Sequence, residues 1–242
     1  MQGDRTLIAA DAALSVLGWW QDAGVDVAIS ETPTDWLAPA PPPAAPAPSS
    51  PARSGPPPLP DSLAALTAWL AEGDDVPEAQ WGPVRIGPSG DPASGLMILS
   101  DIPDPEDAAA GQLYSGSVGL LFDRMLAAIG RDRASVYLVP LASVRPPGGR
   151  VDAASAARLA DIARHHIVLA RPKRVLLMGQ APSRALLGMD LRVAREKKCS
   201  INQAGVTVEA IATYAPRFLL ERPVAKADAW KDLQLVLNGD EA

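Results

Sequence analysis

The sequence predicts an α/β domain in which short buried strands alternate with amphipathic helices. Three observations point to it. Leu96–Leu99, Ser135–Leu141, Arg174–Met178 and Val206–Thr213 are apolar runs of strand length. Helical periodicity separates them, as in Val118, Leu121, Phe122, Met125 and Ile129. The chain has 242 residues, 48% hydrophobic, enough for one such domain plus extras.

In chain order, Ala10–Ala23 has the pattern of an amphipathic helix, with Ala13, Leu14, Leu17 and Trp20 near one face and Gly24 as its C-cap. Trp19 and Trp20 could dock this helix on its own domain or on a partner. Residues 37–60 are almost wholly Pro, Ala, Ser and Gly, the composition of an extended, disordered linker. The expected organisation is therefore a helical arm over 1–36, a linker over 37–60 and an α/β domain over 61–242. Asp61 is expected to cap a helix reaching Ala71. Leu96–Leu99 reads as a buried parallel strand ending in an acidic, proline-rich loop, Asp101 to Asp107. Such loops, at the carboxyl ends of parallel strands, are where α/β folds bind ligands. Ser135–Leu141 is the second strand, and Ala153–Ala170 a long helix whose His165 and His166 read as polar-face residues. After Arg174–Met178, Gly179–Ser183 opens a helix with Pro182 in its first turn. The free N–H groups of such a turn can hold a phosphate. Arg192–Lys198 reads as a basic loop, Val206–Thr213 as the fourth strand and Ala227–Leu237 as a closing helix.

No apolar run reaches the length of a membrane span, and Met1–Ile8 has no signal-peptide pattern, so a cytoplasmic location is expected. The single Cys199 excludes an internal disulfide framework. Net charge is −6, but unevenly spread. Residues 124–231 hold 19 Lys and Arg against 8 Asp and Glu, while the rest of the chain holds 3 against 20. A +11 segment beside a −17 remainder points to nucleic-acid contact combined with an acidic arm.

Ser100–Phe122 resembles, without a gap, the first motif of the family 4, iron–sulfur type uracil-DNA glycosylases. Pro103, Gly111, Gly116, Gly119 and Leu121 match the motif; Asp101 and Asp107 replace glutamates, and Tyr114 stands at the aromatic. The resemblance continues through Val136, Tyr137, Arg145, Pro146, Pro147 and Arg150, and through Thr213–Pro223. It implies a three-layer α/β/α fold with a four-stranded parallel sheet. It also implies a base pocket at Ile102, Pro103, Tyr114, Pro140 and Ala215, and DNA contacts by Arg145, Gly179, Gln180, Ser183, Pro216 and Arg217.

The same resemblance shows what has changed. Pro140 stands where the family has its uracil-reading asparagine, and Ala215 where it has the histidine that stabilises the departing base. Only an amide side chain offers the adjacent donor and acceptor that uracil's edge requires. Val144 and Leu159 replace two cluster cysteines, and the region before the first motif has none. An iron–sulfur cluster normally takes four thiolates. No cluster and no other metal are therefore expected. Three functions stay open: a degenerate glycosylase that binds DNA through backbone contacts, a diverged glycosylase or nucleic-acid hydrolase using Asp101 or Asp107, and a protein-interaction module built on the Trp19–Trp20 helix and the linker.

Overall fold

The computed structural model describes residues 58–237, together with Ser15, Trp19 and Trp20. The chain divides into two units, Met1–Ala52 and Arg53–Ala242. Trp19 and Trp20 are helical and exposed; the rest of the expected arm, and the linker up to residue 57, lie outside the described residues.

The second unit opens with helix α1 (Leu63–Glu72), capped by Ser62 rather than Asp61: the Ser62 hydroxyl accepts the Ala65 N–H at 3.2 Å. One sheet follows, of strands β1 (Ser89–Gly90), β2 (Leu96–Ser100), β3 (Tyr137–Pro140), β4 (Arg174–Met178), β5 (Lys198–Gln203) and β6 (Val206–Thr213). Their order is β1-β3-β2-β4-β6-β5. The four inner strands are the four expected from the sequence, and they pair in parallel. Both edges are antiparallel. Among the described residues the sheet is thus six-stranded and mixed, not four-stranded and parallel. Main-chain pairing and the two-residue Ala204–Gly205 turn hold β5 to β6, and its mostly exposed residues carry no apolar pattern.

Successive strand residues point to opposite faces, and each face has its own core. Ile98, Leu138, Leu176, Met178 and Ile211 meet α3 (Gly116–Ala128) and α8 (Lys226–Leu237) through Phe122, Leu126, Leu233 and Val236. Met97, Leu99, Tyr137, Val139, Val175 and Leu177 meet α4 (Ala153–Ala170) through Leu159, Ala163 and Ile167. This is the three-layer α/β/α arrangement. Leu66, Leu70 and Val76 pack α1 onto Ile162 of α4.

Two expectations about polar residues fail here. His166 faces inward, 1% exposed, with its Nε2 2.9 Å from the Tyr137 hydroxyl. It sits one turn-position inside the apolar stripe that His165 leaves, and Tyr137 gives it a buried partner. The basic run is not a loop: Leu191–Ala194 is a short helix, α6, and Lys198 begins β5. Within the run Arg195 is buried, its Nε donating to Asp232 of α8 at 2.7 Å.

Candidate functional site

The strands aim their carboxyl ends at a cleft of about 450 Å³. β2 delivers Asp101 and Ile102, β4 delivers Gly179 and Gln180, and β6 delivers Tyr214 and Ala215. Asp104, Tyr114, Arg145, Arg217 and Phe218 complete much of its wall. A second hollow of about 710 Å³ shares Asp101, Ile102 and Gln180, and runs between α4 and α5 (Gln180–Leu187) along Leu159, Ala160 and Ala181.

Asp101 is at the centre. Its Oδ1 accepts the Ile102 N–H at 2.8 Å. Burial pushes its carboxyl above the usual range, opposed by the N–H groups of Ile102 and Ala181. The first turn of α5 thus already faces a carboxylate, the group that its partial positive charge favours. Gly179 has φ +115, and a Cβ there would lie 3.4 Å from Asp101 Oδ2 and 3.6 Å from the Ala215 Cβ. Those three residues therefore converge on one spot.

Asp107 is elsewhere. It is 2% exposed and absent from the cleft wall. Its Oδ2 accepts the Asp104 N–H at 2.9 Å, and its Oδ1 accepts the Ser115 N–H at 2.8 Å and hydroxyl at 2.6 Å. It ties the start of α2 (Pro105–Ala110) to the start of α3. Tyr114 lines the cleft but is only 7% exposed, packed on Phe122 at 4.7 Å between ring centroids. Its φ is +54, and a Cβ on Gly119 would come 2.1 Å from its carbonyl oxygen, so only glycine lets α3 pass beneath it. Burial pushes the Tyr114 phenol well up.

The other expected pocket and DNA residues separate. Ile102 and Ala215 line the cleft; Pro103 is buried and offers its carbonyl to Arg145 Nη1 at 3.1 Å. Pro140 ends β3, beside Ser100 in register, and lines a different, small hollow. Gln180 reaches the cleft, yet its amide is engaged by Asp190 at 2.6 Å and by the Leu191 N–H at 3.1 Å. Ser183 is fully buried and donates to the Gly179 carbonyl at 2.8 Å, so no phosphate can reach it. Pro216 is buried also, as the first residue of α7 (Pro216–Glu221). Arg217 is half-exposed at the cleft and pairs with Asp104 at 2.6 Å.

Sequence reasoning missed Tyr214 and Phe218 as site residues. They stand four apart around the start of α7 and stack at 4.7 Å and 22°. The i, i+4 spacing of two aromatics was the available signal.

A model of the uracil DNA glycosylase superfamily matches residues 88–234, well over half of the chain. The chain belongs to the uracil DNA glycosylase superfamily. Its relatives include a type-4 uracil-DNA glycosylase of Pyrobaculum aerophilum, 25% identical over 184 residues, 73% of this chain and 94% of that protein. Another, from Archaeoglobus fulgidus, is 23% identical over 148 residues, 58% of this chain and 74% of that protein.

The cluster of the iron–sulfur glycosylases does not fit the residues present. Val144 is 6% exposed and Leu159 1% exposed, both apolar, with Leu159 part of the core under β3 and β4. Cys199 lies on β5, separated from β3 by β2, β4 and β6. No helix among the described residues is long and apolar enough to cross a membrane.

Proposed function

We propose that this superfamily member binds DNA by its backbone and has lost most glycosylase activity, and that it works without an iron–sulfur cluster. The observation that carries the reading is the cleft itself. It has three arginines, Arg145, Arg192 and Arg217, beside three acids and aromatic walls, but Ala215 brings no donor to the spot shared with Asp101 and Gly179, and the one side-chain amide on the wall, Gln180, is already engaged. Phosphates need cations and N–H groups, while base reading needs aimed donors and acceptors. Losing one preorganised donor to a departing oxyanion costs about 10²–10³ in rate. Binding is then weak, largely sequence-independent and steeply salt-dependent. Removing the acidic residues 1–60 strengthens it, and a cytoplasmic setting suits it.

One observation favours a second reading, a diverged glycosylase. Asp101 is a partly dry carboxylate facing open space, which suits a general base. Asp101 would take a proton from water while the water oxygen bonds to the sugar C1′. The C1′–N bond breaks, and the base leaves with the electron pair. The interaction-module reading rests on Trp19 and Trp20, whose exposure suits a protein partner.

The test is fluorescence anisotropy with short single-stranded and duplex oligonucleotides at two salt concentrations, paired with excision of uracil from the same strands. Salt-sensitive binding with background excision is expected. No binding at low salt, for the full chain and for the chain without residues 1–60, overturns the DNA reading. Excision abolished by Asp101→Asn establishes the enzyme instead.

A further inference from the structure

Beside the cleft, four side chains form one ladder. The Arg195 guanidinium carbon lies 4.1 Å from the Tyr214 ring centroid. Tyr214 stacks on Phe218 at 4.7 Å and 22°. The Arg222 guanidinium carbon lies 5.7 Å from the Phe218 centroid. A guanidinium and a near-parallel ring cannot share one face of Tyr214 at these distances, so Arg195 and Phe218 take opposite faces.

The two ends of the ladder differ. Arg195 is buried and anchored to Asp232, which is itself fully buried. That end cannot open without breaking an ion pair in the core, a costly event. Arg222 is exposed, on the turn that ends α7. A cation over a ring at an exposed position contributes little, so this cover can be exchanged. Phe218 also lines the cleft, next to Ala215 and Arg217. An aromatic face held rigid from behind, with a movable cation in front and basic side chains alongside, is a stacking platform for a base.

We propose that the outer face of Phe218 is a stacking site for an unpaired nucleobase, which displaces Arg222 and leaves that guanidinium free for the neighbouring phosphate. The site favours single-stranded nucleic acid, because only an unstacked base offers its face. It is separate from Tyr114, whose 7% exposure leaves little ring for any ligand. The proposal rests on the DNA-binding reading above, and adds a base-dependent component to it.

The test compares two fluorescein-labelled single strands of equal length and charge on the full chain, one of thymidine and one of abasic sites. Base stacking is expected to make the thymidine strand bind about tenfold more tightly. Phe218→Leu should bring thymidine down to the abasic level, while Phe218→Tyr should keep the preference. Equal affinity of the wild type for both strands overturns the stacking site but leaves backbone binding standing; binding of neither strand overturns both. A preference that survives Phe218→Leu overturns the assignment to this ring. Arg222→Ala provides a check at a position outside the core. It should weaken both strands and keep the thymidine preference, and loss of the preference there would assign it to the guanidinium instead.

Discussion

Replacing His166 by glutamine should flatten the acid side of the stability profile. His166 is buried against Tyr137, and burial holds its imidazole down at about 4, with the neighbouring His165 a smaller cause. An unfolded chain titrates this side chain near 6.5. Between those values the unfolded state binds a proton that the folded state refuses. The contribution is therefore complete above about pH 6.5 and is lost as pH falls towards 4. At about 1.4 kcal/mol for each pH unit of the gap, the loss reaches about 3 kcal/mol. Glutamine keeps an acceptor for the Tyr137 hydroxyl and does not titrate. Urea unfolding of both proteins at pH 7 and pH 4.5 reads the effect. Carboxyls raised by burial, such as Asp101 and Asp232, work in the opposite direction, but they are common to both proteins and cancel in the comparison. The wild type should lose about 2–3 kcal/mol more than His166→Gln over that interval. Equal losses would refute the reasoning and mean that the ring is solvated or protonated in the fold.

Asp107→Ala should destabilise the domain by about 2–4 kcal/mol in a chemical melt, because the buried N–H and hydroxyl of Ser115 and the part-buried N–H of Asp104 lose their acceptor; the folded fraction should bind DNA as before. Asp104→Asn should strengthen DNA binding at low salt by releasing Arg217 from its 2.6 Å ion pair, an effect readable by anisotropy and absent if Arg217 does not meet phosphate. Ala215→His should raise uracil excision by up to about 10²-fold if an oxyanion donor is the missing part, and no gain would place the deficit in base recognition. Any excision catalysed by Asp101 should fall as pH is lowered through its raised value, since only the carboxylate accepts a proton.

The four inner strands were legible because most of their residues are buried on both faces, so Leu96–Leu99 and Val175–Met178 are continuous apolar runs. β1 and β5 were not, because an edge held by main-chain pairing places no demand on side-chain polarity. In the site, Asp101 and Ala215 could be placed from the sequence, as could Gly179, since the turns after β2, β4 and β6 fix them. Ser183 could not: one turn into α5, the helix rotates it from the cleft into the core. The ladder was equally hidden, because Arg195 comes from a run that looks solvated and finds Asp232 37 residues away.

The residues at the cysteine and histidine positions of the resemblance have different surroundings. Val144 and Leu159 are buried, and burying a branched side chain stabilises a fold by about 1.5–3 kcal/mol. Ala215 is not packing. It remains half-buried on the cleft wall, and the space beside it is open. The cleft is open, Asp101 sits over the first turn of α5, and three arginines, Arg145, Arg192 and Arg217, stand on its wall, the last held by Asp104. Open space beside cations and N–H groups is what a bound nucleotide requires, and the cleft offers all three, which supports the proposed DNA binding.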